Sequence, residues 1–430
     1  MRPLKMICNC LALASLASAT YAATTTSIDS VFHHADLGYT RPLHEAQKQT
    51  RPEAERALIA ARLGLARLDI STAANALNRY ASLHDKDIAR LRLYYELEQS
   101  LAILKAEYSV AADAGVRWEQ LPNAQEQPQF ASMHQTTAIM TLLRKTLPEQ
   151  VGKVHFGSVP YTRDKVGLAR TEILIEGHKQ EAVVDTGASF SVVNASTAKR
   201  LNLKTLGTAS VGSSTQKDVT TEVAVATRIS VAGTQFDNVV FLVLADDQLS
   251  YPSIDYHIDA ILGFPELHRL GKLHFTQDTI RIEPATDYTT ADANLVFVDT
   301  QSFVFAELNK ICVPLHLDTG ANASSLTRLF ANEHPEVLKQ LRAEQRQIGG
   351  AGGIKEANVL SWKSVPVQIG QRLGPSIDLD IDLAEEVLAP ERLGTLGRDA
   401  LDAGYSIDFN AMRLELDSGN VESTRACLRQ

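Results

Sequence analysis

Val184-Asp185-Thr186-Gly187-Ala188-Ser189 and Leu317-Asp318-Thr319-Gly320-Ala321-Asn322 are nearly one word written twice. Each follows an apolar, strand-like run: Glu181-Ala182-Val183-Val184 in the first copy, Cys312-Val313-Pro314-Leu315-His316-Leu317 in the second. Each copy is therefore expected to carry a carboxylate at the tip of a buried strand, on a tight glycine-bearing loop. A lone Asp-Thr-Gly is most often an ordinary turn, because Asp and Gly are both favoured there. Two copies inside matching surroundings point instead to a paired acid/base centre at a pseudo-twofold axis.

The surroundings do match. Gly263 of Ala260-Ile261-Leu262-Gly263-Phe264 follows Asp185 by 78 positions, and Gly397 of Gly394-Thr395-Leu396-Gly397-Arg398 follows Asp318 by 79. Between these landmarks each copy has a glycine-bearing candidate hairpin, Val211-Gly212-Ser213-Ser214 in one and Ile348-Gly349-Gly350-Ala351-Gly352-Gly353 in the other. Each then has a strand ending in glycine, at Gly233 and Gly370, 48 and 52 positions after its Asp. Short alternating runs at Leu168 to Glu176, Ser189 to Val193, Thr221 to Val231 and Val239 to Leu244 read as further strands, and Asn194 as a helix cap. A duplicated β-rich unit accounts for all of this, with a boundary at residues 286–294.

These residues resemble the two halves of an aspartic protease. The Ala after each Gly is closer to the retroviral, retropepsin-like type, whereas a single chain carrying both halves resembles the two-lobed pepsin arrangement. The resemblance covers roughly residues 168–416 and implies a mainly β two-lobed acid-protease fold. It makes Asp185 and Asp318 the catalytic dyad, with Thr186, Gly187, Ala188, Thr319, Gly320 and Ala321 in support. It also implies that the two threonines lock the Asp loops together, and that an apolar pair plus Gly packs beneath each loop. Thr395 departs from that pattern by replacing an apolar residue. In the family a flexible hairpin closes over bound peptide, which makes Gly212, Gly349 and Gly350 flap candidates; the alternative is plain surface turns. The first hairpin has no Tyr, unlike the pepsin pattern.

Physical chemistry gives the dyad its use. Two adjacent carboxyls cannot both ionise cheaply, so they share a proton. One can then deprotonate a water while the other protonates the scissile carbonyl. No metal, cofactor or covalent intermediate is required. The rival reading is a catalytically inactive peptide-binding protein on the same fold.

At 430 residues the chain has room for more than one domain, and 44% hydrophobic with 22% charged residues is ordinary globular composition. A net charge of −9 leaves no basic footprint for nucleic acid. Arg2 and Lys5 followed by the apolar run Leu11 to Ala19, with Ala22 and Ala23 beyond it, form the layout of a signal peptide cleaved after Ala22 or Ala19. The run is too short for a membrane span. Cys8 and Cys10 precede it, where a lipoprotein cysteine would follow it. A secreted or periplasmic mature chain, with no membrane span, is expected. It would keep Cys312 and Cys427, as one disulfide or as two free thiols.

Residues 23–50 are polar with little periodicity and read as a leader. From Arg51 apolar residues recur at helical spacing, including Leu58, Ala61, Leu65 and Leu68, and later Leu101, Leu104 and Tyr108. Breaks are expected near Asp69 to Ser71, His84-Asp85 and Asn123 to Pro128, with a last helix over Ala131 to Thr146. The expected layout is therefore a signal peptide at 1–22, a leader at 23–50, an all-α N-terminal domain at 51–148, and lobes at 151–285 and 295–416. The helical domain would be a docking platform for a protein partner, a structural support or an inhibitory segment; its length favours the first two. Other chemistries are unsupported: Gly350 to Lys355 lacks the third glycine of a dinucleotide loop, and there is neither a Gly-Lys-Ser/Thr nor a His-x-x-x-His or Cys-x-x-Cys pair.

Overall fold

The computed structural model describes residues 26–213, 218–286, 293–350, 353–384, 391–401, 404–421 and 427. The expected signal peptide, Ser214, Ala351, Gly352 and most of the 286–294 boundary lie outside these residues.

The N-terminal part is helical from Ile28 to Leu143. Polar side chains start three of its helices: Ser27 accepts from Ser30 N–H ahead of Ile28–Asp36, Asp69 from Thr72 N–H ahead of Ile70–Ser82, and Asp87 from Arg90 N–H ahead of Ile88–Leu104. The stretch expected as a leader differs from its reading, because it contains the helices Ile28–Asp36 and Arg41–Lys48. In the first of these the signal was present, since Ile28, Val31, Phe32 and Ala35 recur at helical spacing, but it spans only two turns. The apolar residues are spent fully: Val31, Phe32 and Leu43 are buried in one cluster with Leu58, Ile59 and Leu77.

Beyond the helices the chain is mainly β. In the first β region Ala169–Ile175 and His178–Val184 form a hairpin, and Lys204–Val211 pairs with Val219–Val231, which pairs with Thr234–Leu244. The second region repeats the plan: Gln301–Leu308 with Ile311–Leu317, then Arg342–Gly350, Gly353–Ile369 and Arg372–Asp382 in sequence. The long strand Gly353–Ile369 starts well ahead of the glycine-ended strand expected there, since its first half places its large apolar residues at Ile354, Val359 and Leu360, out of strict alternation.

The regions are not separate sheets. Tyr405–Asp408, late in the chain, pairs antiparallel with Lys272–Phe275, so the end of the second region completes a sheet of the first. Alternation marks a strand but not its partner, and this partner lies more than a hundred residues away. Beneath the shared sheet Phe275 stacks on Tyr405, and one apolar core runs through both regions.

The helices brace both β regions. Met140 and Leu143 share a cluster with Val219 and Val223, while Ala66 joins Phe303 and Phe305 of the second region. Arg62, almost fully buried, donates to Ala35 O at 2.9 Å and to Phe297 O at 3.4 Å, across that contact. Cys312 and Cys427 form a disulfide with Cα atoms 5.5 Å apart, tying the C-terminal end to the strand that leads to Asp318. Among the described residues no helix is long and apolar enough to cross a membrane.

The helical core makes stability depend on pH. Glu96 accepts from Trp118 Nε1 and Gln129 Nε2, each at 2.8 Å. Burial first, then the charge of Asp36, raises its carboxyl from 4.5 to about 8. The native state thus keeps a proton that the unfolded chain releases near pH 4.5, so stability falls as pH rises from there towards 8. Glu96→Gln keeps the acceptor and removes the titration. Its melting temperature should exceed that of the wild type at pH 8 and match it at pH 5, in scans run at both values. A constant difference would refute the assignment.

Candidate active site

Asp185 and Asp318 sit immediately after the strands His178–Val184 and Ile311–Leu317. Val184 and Leu317 are sunk in the common core, which fixes where each strand ends. Beneath the two loops run Ala260–Leu262 and Gly394–Leu396. Asp185 N–H donates to Leu262 O and Asp318 N–H to Leu396 O, both at 3.0 Å. The pair of apolar-plus-glycine segments therefore acts as a floor for the pair of Asp loops.

The threonines cross between regions. Thr186 Oγ1 donates to Leu317 O at 2.8 Å and accepts from Thr319 N–H at 3.1 Å. Thr319 Oγ1 donates to Val184 O at 2.8 Å and accepts from Thr186 N–H at 3.0 Å. Both side chains are fully buried, so these four bonds form a closed, water-free link between the loops. Gly187 and Gly320 let the loops meet: a Cβ on Gly187 would lie 2.5 Å from Asp318 Cγ, and one on Gly320 would strike the Asp185 carboxylate. Each glycine N–H also donates to its own aspartate, at 2.8 Å for Gly187 and 2.9 Å for Gly320. Ala188 and Ala321 contribute backbone, their carbonyls accepting from Phe264 and Arg398 N–H at 2.9 and 3.0 Å.

The two carboxyls are brought together at this junction, each lying against the glycine of the other loop. Burial and the charge of Asp318 push Asp185 well above the ordinary carboxylate range. Burial raises Asp318 as well, but the charge of Arg392 pulls it back. Both carboxyls are thus raised, and the pair holds a proton more tightly than an isolated carboxyl would. That is the behaviour of carboxyl pairs in general when held this close.

Several supporting groups escaped the sequence reading. Ser191 Oγ accepts from Gly263 N–H at 2.9 Å and donates to Glu266 at 2.6 Å. Ser324 Oγ does the same with Gly397 N–H and Asp399, at 2.9 and 2.6 Å. The signal was present, since each serine stands six residues after its Asp and each acid just after the landmark glycine. Thr395, the departure noted above, leaves the floor intact: Leu396 fills the core, while Thr395 lies on the other strand face.

The glycine hairpins behave differently from each other. Gly350 pairs with Gly353 at the end of one, and Gly349 reaches the first region, where Tyr251 Cε1 lies 3.3 Å from the position of a Cβ on Gly349. An aromatic ring thus meets a hairpin, although from outside it. Gly212 follows the strand Lys204–Val211 of the other, whose Gly207 packs against Leu142 of the helix Phe130–Leu143, while Asp218, just ahead of the partner strand, accepts from Gln135 at 2.8 Å. Among the described residues the one cluster with metal-ligand geometry is Glu307, Cys312 and Cys427, and its cysteines are bonded to each other.

Residues 171–265 match the aspartyl protease family. This segment contains the first Asp loop and its glycine landmark. Among solved structures, a retropepsin-like aspartic protease from Rickettsia conorii is similar at 18% identity over 31% of this chain and 94% of its own, with a TM-score of 0.23. Conglutin gamma, a basic 7S globulin from lupine seeds, is similar at 10% identity over 62% of this chain and 96% of its own, with a TM-score of 0.35. No curated protein matches the chain.

Proposed function

We propose that the protein is an exported aspartic endopeptidase in which the two β regions are the two lobes of one acid-protease unit. The single observation that carries this reading is the threonine-locked junction at which the Asp185 and Asp318 carboxyls each lie against the glycine of the other's loop. Peptide would lie across that junction. Asp318, ionised, takes a proton from a water held between the carboxyls, and the water oxygen attacks the scissile carbonyl carbon. Asp185 gives its proton to the carbonyl oxygen, producing a neutral tetrahedral diol. Proton transfer to the amide nitrogen then releases the amine. A binding protein without turnover would have no need to bring two acids together at a cost in desolvation. The start of the chain supports export, and the helices that brace both regions support a structural role for that domain.

The test is hydrolysis of an unfolded protein substrate across pH. Activity should be bell-shaped. It falls at low pH as Asp318 takes up a second proton, and at high pH as the shared proton leaves Asp185. The alkaline limb should lie above the ordinary carboxylate range, because burial and the neighbouring charge both raise Asp185. Peptides bound and returned intact at every pH would overturn the reading.

A further inference from the structure

The inference here rests on the peptidase reading and concerns which peptides the site accepts. Strand pairing sets up a residue-by-residue correspondence between the walls on either side of the dyad. In the first region Ile261 pairs with Val183 on one side and Val192 on the other. In the second, Thr395 holds the same station between His316 and Ser325. Val183 and His316 each stand two residues ahead of their Asp, and the residues three before Ile261 and Thr395 are Ile258 and Arg392. Strand alternation places Val183 and His316 on the face opposite Val184 and Leu317, which point into the core.

The two walls are chemically unlike. Val183, Val192, Ile258 and Ile261 belong to one apolar cluster. Their counterparts His316, Ser325, Arg392 and Thr395 are all polar. Arg392 Nη1 lies 2.8 Å from His316 Nδ1. A guanidinium only donates, so Nδ1 accepts and the ring proton sits on Nε2. Burial and the adjacent cation keep the imidazole neutral, far below its usual titration range. His316 is 2% exposed, and its Nε2 has no hydrogen-bond partner among the described residues. A buried N–H donor without an acceptor is costly, and beside it stands a cation with four further N–H groups. Arg392 already faces the charge of Asp318, so the unmet donor is His316 Nε2, and an acidic acceptor placed there would also lie beside the guanidinium.

We propose that His316 and Arg392, with Ser325 and Thr395, form a subsite for an acidic side chain. The enzyme then cuts peptides that carry Glu or Asp on the second-region side of the scissile bond and an apolar residue on the other. The carboxylate of the substrate accepts from Arg392 and from His316 Nε2. Arg392 at the same time offsets the repulsion that a second anion beside Asp318 would otherwise create.

Matched peptides differing only in Glu or Gln at that position test this, with the full chain at pH 6, where Glu is ionised. One charge-assisted pair should favour Glu over Gln by about tenfold or more in kcat/KM. Because Arg392 also acts on Asp318, the absolute rates of Arg392→Gln should fall with both peptides. The Glu/Gln ratio is the readout, and it should drop to near one. Arg392→Glu should invert the preference towards Lys. A wild-type ratio near one, or a ratio that survives Arg392→Gln, overturns the subsite. Binding of the same peptides to Asp185→Asn, followed by fluorescence anisotropy, separates the two claims. Glu-selective binding with no turnover by the wild type sinks the peptidase reading and keeps the subsite; turnover without selectivity does the reverse.

Discussion

Asp185→Asn or Asp318→Asn should lower peptide cleavage by roughly a thousandfold, within the range expected for losing a general acid or base. Asn matches the shape of Asp but can neither hold the shared proton nor take one from water. Folding should survive in both variants. The dyad carries a net charge in a confined place, and a neutral amide relieves both its desolvation and the mutual repulsion. Melting temperature should therefore hold or rise while kcat collapses, a combination that separates loss of chemistry from loss of structure. Cleavage that persists at more than about a tenth of the wild-type rate in either variant would remove the dyad from the mechanism.

Thr186→Val and Thr319→Val probe the link rather than the chemistry. Valine has the shape of threonine without the hydroxyl, so each variant deletes one donated and one accepted bond. In Thr186→Val the Leu317 carbonyl and the Thr319 N–H lose their partner in a place water does not reach. An unsatisfied buried group costs about 1–3 kcal/mol, so each variant should lose about 2–4 kcal/mol of stability. Thr186→Ser, which keeps the hydroxyl, should lose much less. Urea unfolding measures both. The double variant should cost less than the sum, because the first change has already broken the closed set. A loss below about 0.5 kcal/mol in the single variants would show that the regions are held by the shared sheet and core alone.

How far the site could be read from sequence differs residue by residue. The dyad and its glycines were legible because the constraint on them is local: an Asp-Thr-Gly loop must follow a strand, and the sequence writes both loop and strand. The floor under each loop was legible through equal spacing from the repeated word. Ser191 and Ser324 were legible in principle by the same spacing. Arg392 and His316 were not. Nothing in the neighbourhood of either names the other as a partner, and only the pairing of His316 with Thr395 brings the two segments together. The helices Ile28–Asp36 and Arg41–Lys48 escaped because they are only nine and eight residues long, so that even the regular face of Ile28, Val31, Phe32 and Ala35 is a brief signal within a polar stretch.

The repeat, the two acids and the order of helices before strands can be read from residue patterns alone. These are set by short-range patterns of burial and turn chemistry, which each segment carries whatever its neighbours do. The tertiary structure alone decided that the threonines exchange bonds across the junction, that Tyr405–Asp408 returns to the first region's sheet, and that one wall beside the dyad is apolar while the other holds a cation. Those outcomes depend on contacts between residues far apart in the chain, whose energies exist only once the core has closed and water has left. The same closing gives Asp185 and Asp318 different electrostatic surroundings, although their sequence contexts are almost identical: the charge of Arg392 acts on Asp318.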